Sequence, residues 1–222
     1  MKVEYISKHI EEYDKYLKTL KSDDFGRRCM EIFNKYIDDP KNKIRTHGSF
    51  IPKKQKEYLE KDVFHFQEGK FIVAFQPLFI GARTSKSKGT PLTFIPYITY
   101  AFNTKGGKLY LQKIFNKMLN KDMYLVFTAH FFDRYSLRAY ENEIGRIEAL
   151  SIFSAVCGYK NIAFVLEDFN NVKMIFPDGV GLGSTFDIDE SNMVAFFKTF
   201  ITDEMAGSEA VETRNELFAV EG

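Results

Sequence analysis

Residues 123–138 read Met-Tyr-Leu-Val-Phe-Thr-Ala-His-Phe-Phe-Asp-Arg-Tyr-Ser-Leu-Arg and join a strand pattern directly to a helix pattern. The five apolar residues at 123–127 are typical of a buried strand. Thr128 is a suitable N-cap, because its hydroxyl can accept a hydrogen bond from a free N–H of a helix's first turn. The segment therefore predicts a strand that leads straight into a helix.

Three basic side chains share one face of this helix. His130, Arg134 and Arg138 lie at i, i+4 and i+8, and steps of about 40° keep them within an arc of about 80°. The helix rises about 12 Å between the first and the last, enough to reach neighbouring phosphates of one strand. An imidazole that can carry a proton near neutral pH, beside two permanent cations, suits the binding or cleavage of a phosphate ester. We therefore take these three residues as candidate catalytic residues.

The chemistry of RNA cleavage without a metal explains this choice. It needs a base for the 2′-hydroxyl, an acid for the leaving 5′-oxygen and cations for the charge of the transition state. His130 is a candidate base or acid, and the two arginines can clamp phosphates. An ion-paired structural helix gives the same sequence pattern. In that interpretation the arginines are neutralised by carboxylates of Asp133, Glu141, Glu143 or Glu167-Asp168.

The first 40 residues predict two helices. Apolar residues between 3 and 20 alternate spacings of three and four, which gives one narrow stripe. A second helix is expected from about Ser22 to the residues before Pro40. The stripe indicates packing onto the rest of the protein or, alternatively, self-association or a protein partner bound through these helices.

Strand patterns dominate the remainder. Short runs rich in Phe, Ile, Tyr and Thr occur at 63–66, 71–79, 92–102, 108–115, 162–167, 172–176 and 194–202. Asn103–Gly107 predicts a hairpin, and Pro96 places its strand at a sheet edge or a bulge. A further helix is expected at about 143–157. We predict an α+β fold: an N-terminal helical hairpin, then an antiparallel sheet packed with a helix pair.

Composition limits the function classes. The chain has 222 residues and a net charge of +1, so no overall field attracts nucleic acid, and phosphate binding must come from a local patch. The N-terminus lacks a signal-peptide pattern and the longest apolar run is too short for a bilayer, so we predict a cytoplasmic protein that does not enter a membrane. Cys29 and Cys157 are expected to be reduced, buried thiols.

Three other segments contain clustered basic, glycine or acidic residues. Arg83, Lys86 and Lys88 form a basic loop, a second candidate for nucleic-acid binding or simply a solvated loop tip. The glycines of 179–183 lack the spacing of a dinucleotide-binding loop, and we expect a strand bend or loop there. The acidic residues at 187–190 lack the ligand spacing of a calcium loop. We expect neither a cofactor nor a metal.

The segment that contains His130, Arg134 and Arg138 resembles a known family. Thr-Ala-His-Phe-Phe-Asp-Arg-Tyr-Ser-Leu-Arg, at 128–138, resembles the His-x-x-x-Arg-x-x-x-Arg opening of a small bacterial toxin-like domain allied to the BrnT and RelE-type ribonuclease toxins. The resemblance covers about residues 123–203. It implies a ribonuclease-like fold that ends in an apolar strand, here Phe197–Thr202, and assigns the motif to His130, Arg134 and Arg138.

These patterns define domains and functional hypotheses. We predict a helical extension at 1–40 and a single α+β domain at 41–222, whose toxin-like portion is 123–203. The first hypothesis is an RNA-binding or ribonuclease-like protein. The second is a non-enzymatic binding or structural module of bacterial or phage type, with an ion-paired helix. A small-molecule enzyme that uses the glycine-rich segment is the third.

Overall fold

The structure is a computed structural model that describes residues 3–20, 22–44, 54–55, 59, 61–79, 92–116, 121–156, 162–168, 171–206 and 212. Its helices are α1 (Val3–Thr19), α2 (Ser22–Asp38), α3 (Ala129–Tyr140), α4 (Arg146–Val156) and the short α5 (Asp203–Ala206), with a 3₁₀ turn at Pro40–Asn42. Its strands are β1 (Phe64–Glu68), β2 (Phe71–Phe79), β3 (Leu92–Thr104), β4 (Gly107–Asn116), β5 (Lys121–Thr128), β6 (Ala163–Asp168), β7 (Asn171–Phe176), β8 (Gly179–Asp187) and β9 (Asn192–Ile201).

Within these residues one nine-stranded sheet has the order β1-β2-β3-β4-β5-β9-β8-β7-β6. The α+β class is confirmed. The sheet is mixed rather than wholly antiparallel, because β5 and β9 pair in parallel. After β5 the chain leaves the sheet through α3 and α4 and re-enters at the far edge as β6. The antiparallel β6-β7-β8-β9 meander then returns to β5 and sets the direction of β9.

Helices cover both faces of the sheet. Successive residues of a strand point to opposite faces. On β5, Leu125 and Phe127 therefore belong to the core beneath α3 and α4, whereas Tyr124 and Val126 belong to the core beneath α1. The α2 helix packs on the α1 face over β1 to β3. The site described below lies on the opposite face.

The predicted stripe of α1 is confirmed as a buried one. Ile6, Ile10 and Tyr13 are all less than one-tenth exposed and pack on the sheet. In α2, Cys29 is a free thiol, and burial raises its pKa to about 12. Cys157 lies outside the described residues. None of the described helices is both long and apolar enough to cross a membrane.

Pro96 occupies a local sheet edge inside a central strand. The β3–β4 ladder runs from Thr104 to Tyr100 and stops there. Beyond it, Pro96 pairs with Phe75 of β2, and the described residues provide no ladder partner on its other side. Proline lacks an N–H, so it fits a strand where a ladder partner is missing. The predicted edge strand is wrong, since β3 is the third of the nine described strands, but Pro96 lies in a part of it that has a ladder partner on one side only.

A histidine is packed between α1 and β3. The His9 ring stacks on Phe102 with the ring centroids 4.0 Å apart, and its Nδ1 lies 3.2 Å from the Tyr100 hydroxyl. Its Nε2 is buried and has no hydrogen-bond partner among the described atoms. Burial lowers the pKa of His9, Glu12 opposes the effect, and Lys70 adds to it.

Acidification is expected to weaken the docking of α1. Since the folded pKa of His9 lies below its ordinary 6.5, the unfolded chain binds a proton first as the pH falls, and stability is lost below about that pH. Thermal unfolding from about pH 7.5 to 5.5 should show this loss. In His9→Gln that part of the pH dependence should disappear, whereas His65→Gln, at an exposed position of β1, should behave like wild type. The same slope in His9→Gln and wild type would contradict the assignment.

Candidate functional site

Thr128 fixes the start of α3, as its sequence position predicted. Its Oγ1 accepts a hydrogen bond from the backbone N–H of Phe131 at 3.1 Å, which makes it the N-cap. The same hydroxyl donates to the backbone carbonyl of Lys198 on β9 at 3.0 Å. One side chain therefore ties the helix start to the carboxyl ends of the two parallel strands. This places His130 in the first turn of α3, at that edge of the sheet.

The buried side of α3 holds the helix in place. Phe131, Phe132 and Tyr135 have no exposed surface. The Tyr135 hydroxyl donates to the carboxylate of Asp178 in the β7–β8 turn, and burial raises the pKa of Tyr135 well above its ordinary value. Because this side is anchored in the core, the opposite side of the helix faces solvent.

His130 and Arg134 meet on the outer side. The Nε of Arg134 donates to Nε2 of His130 at 3.3 Å. His130 is exposed and Arg134 is half-buried. The contact needs a lone pair on Nε2, so it fits a neutral imidazole with its hydrogen on Nδ1. The two side chains that the helical spacing predicted on one face are thus in direct contact.

Arg138 is directed elsewhere. Its Nη1 donates to the backbone carbonyl of Phe200, near the end of β9. This bond links the last turn of α3 to the sheet. Arg138 remains half-buried, and its other N–H groups have no described protein partner. The structure therefore brings together two of the three motif residues and gives the third a contact with the backbone.

Of the carboxylates expected for an ion-paired helix, the described ones of Asp133, Glu141 and Glu143 do not neutralise the arginines of α3. Asp133 is bound instead by Arg146, the first residue of α4, whose Nε and Nη2 lie 2.7 and 2.9 Å from its two oxygens. Among the described side chains, which leave out those of Glu167 and Asp168, no carboxylate oxygen lies within 4.0 Å of Arg134 or Arg138. The positive charge of this face is therefore left uncompensated by the side chains seen here.

Sequence analysis missed Arg146. It lies thirteen residues after Asp133, and the pair forms only because α3 and α4 pack side by side. An arginine at the start of the next predicted helix was the available signal, and nothing in the sequence ranked it above Arg134 or Arg138 as a partner. The candidate loop residues Arg83, Lys86 and Lys88 lie outside the described residues.

Three grooves lie on the α1/α2 side of the sheet, away from α3. One of about 450 Å³ is lined by Tyr16, Arg28 and Phe66, and one of about 550 Å³ by Asp14 and Tyr124. A mainly apolar groove of about 490 Å³ lies between α2 and β3. In the part of the chain that the structure describes, no group of three or more His, Cys, Asp or Glu side chains is placed to hold a metal ion.

Compared with protein-family models, with curated proteins and with solved structures, this chain gives no match. The resemblance of residues 128–138 to the toxin-like domain therefore remains a prediction.

Proposed function

We propose that this protein binds RNA through the outer face of α3 and cleaves its backbone there. One observation carries the proposal. Arg134 donates to His130 at 3.3 Å, and no described carboxylate neutralises the pair. Cleavage of a phosphodiester needs at least a general base and a cation that stabilises the negative charge of the transition state, and an imidazole beside a guanidinium supplies both.

Binding follows from the unused donors of Arg134. Its Nε is directed at His130, while both terminal nitrogens lack a described carboxylate partner and can bind two phosphate oxygens at once. A phosphate that also draws on Nε releases Nε2 of His130. Substrate binding would then free the base at the moment it is needed.

Cleavage needs one proton to move at each end of the reaction. The Nε2 of His130 takes the proton of the 2′-hydroxyl, and the 2′-oxygen bonds to phosphorus. The bond from phosphorus to the 5′-oxygen breaks, and that oxygen takes a proton from water. The products are a 2′,3′-cyclic phosphate and a 5′-hydroxyl, and the imidazolium returns its proton to solvent. Arg134 stabilises the extra negative charge of the transition state.

The double variant H130A/R134A tests the proposal on a short single-stranded RNA. Its affinity at low salt is expected to fall roughly tenfold or more. The single variant H130A should lose about 10²- to 10⁴-fold in cleavage rate while it keeps part of its affinity. Because both side chains lie outside the core, the melting temperature should change by only about 1–2 °C. The cleavage products of wild type are expected to end in 2′,3′-cyclic phosphates, which mass spectrometry identifies.

The matched control is Arg27→Ala on α2. Arg27 is also an arginine on a helix surface, 72% exposed, but it lies on the opposite face of the sheet. Its loss removes the same unit of charge and should leave RNA affinity nearly unchanged. Wild-type protein that neither binds nor cleaves RNA would refute the proposal, as would equal losses in Arg27→Ala and H130A/R134A.

A non-enzymatic module is the second candidate function, and the bond from Arg138 to the carbonyl of Phe200 favours it. In that case the basic residues of α3 stabilise the fold, and the protein acts by binding another protein. Arg138→Ala should then lower the melting temperature by several degrees, because the bond that links the last turn of α3 to β9 is lost. A fully stable Arg138→Ala protein, together with RNA binding that is lost in H130A/R134A, would exclude this candidate.

A further inference from the structure

A carboxylate lies inside the cationic surface of α3. Asp133 follows His130 by three residues, and side chains at i and i+3 of a helix are neighbours. If it were unpaired, its carboxylate would attract the imidazolium form of His130 and repel an incoming phosphate. The side chain of Asp133 is 46% exposed, so its carboxylate lies on the same solvent-facing surface that an incoming phosphate would approach.

Arg146 binds this carboxylate. Two of its guanidinium nitrogens, at 2.7 and 2.9 Å, bind the two oxygens of Asp133 in parallel, which is the arrangement that fixes a carboxylate most firmly. The arginine is itself well placed, since α4 is anchored by the fully buried Ala149, Leu150 and Phe153. The pair is about half-exposed, so its own contribution to stability is small.

We infer that Arg146 is a positioning residue of the phosphate site, which keeps Asp133 from neutralising His130 and Arg134. The inference rests on the proposed function of α3. It makes the anion affinity of α3 depend on the docking of α4, since the pair joins the two helices. Arg146 need not touch RNA for this effect.

A double-mutant cycle separates this role from a direct RNA contact. Arg146→Met should weaken binding of a short single-stranded RNA roughly three- to fivefold at low salt, since it frees the carboxylate. In a D133N background the same change should have almost no effect, because no charge remains to be held. The double variant D133N/R146M also has the net charge of wild type. An equal loss in both backgrounds would show that Arg146 contacts RNA directly, and would overturn the inference.

A measurement without RNA distinguishes failure of the inference from failure of the proposed function. The pH at which the ring signals of His130 change, followed by NMR, should move upward in Arg146→Met and return in D133N/R146M. Arg146→Lys, which keeps the charge, should lie between Arg146→Met and wild type. An unmoved His130 titration in Arg146→Met sinks the inference even if RNA binds. If wild type does not bind RNA but the His130 signals move as expected, the proposed function fails, and only the effect of Arg146 on the Asp133–His130 interaction remains.

Discussion

Gly179→Ala is expected to destabilise the protein by about 3–5 kcal/mol. Gly179 begins β8 with φ at +145°, a conformation that residues with a side chain rarely adopt. A Cβ at this position would lie 2.4 Å from the carbonyl oxygen of Ile201 and 2.7 Å from the ring of Phe200. Both neighbours belong to β9, which is paired along its length, so neither can move away cheaply. Chemical denaturation of purified variant and wild type measures the loss.

Gly26→Ala is the matched control for this prediction. Gly26 lies in α2, and a Cβ there would meet nothing within 4 Å. Alanine is the better helix former, so this variant should gain about 0.5–1 kcal/mol. A Gly179→Ala protein as stable as wild type would show that β8 and β9 do not approach as closely as described.

Phe153→Ala is expected to cost about 3–5 kcal/mol, because it empties the centre of the aromatic core under α3 and α4. Phe153 has no exposed surface. Its ring meets those of Phe127, Phe132 and Phe176 edge-on, with centroids 5.1–5.5 Å apart. These neighbours come from a strand, a helix and a second strand, and they cannot all close the cavity at once. The loss should appear in thermal and chemical unfolding.

Two further variants bracket this result. Phe153→Leu keeps most of the volume and should cost much less than Phe153→Ala. Leu137→Ala removes an apolar side chain from the outer side of α3, where 42% of it is exposed, and should be nearly neutral. Because α4 packs against α3, Phe153→Ala should also weaken RNA binding. Leu137→Ala should not change the stability of the protein. A stable Phe153→Ala protein would contradict the described packing of α4.

Local signals were sufficient for α3. The cap at Thr128 and the spacing of His130 and Arg134 act over four residues or fewer, so sequence alone places them correctly. The same holds for most strands, because the alternation of core-facing and outward-facing residues can be read within each short segment. Pro96 correctly indicated a missing ladder partner, because the lack of an N–H is a property of the residue itself, but it did not show that β3 is a central strand.

Local signals left β8 undecided. They indicated a strand bend or a loop at 179–183, and the segment is a strand with a register irregularity between Leu182 and Gly183. The glycines recur with period two, which puts Gly179, Gly181 and Gly183 on one face. On that face a Cβ at Gly181 would lie 3.1 Å from the ring of Phe131. Small residues are needed on this face of β8 because Phe131 of α3 packs closely against it, and this contact is evident only in the folded structure.

By itself the sequence determined the class of the fold, the start of α3 and the choice of His130 and Arg134 as neighbours, because caps and periodicities depend on residues a few positions apart. The tertiary structure decided the parallel pairing of β5 with β9, the bond from Arg138 to β9 and the capture of Asp133 by Arg146. These contacts join segments that lie far apart along the chain. Several partners of equal chemistry compete for each of them, and only the packing of the helices on the sheet selects one.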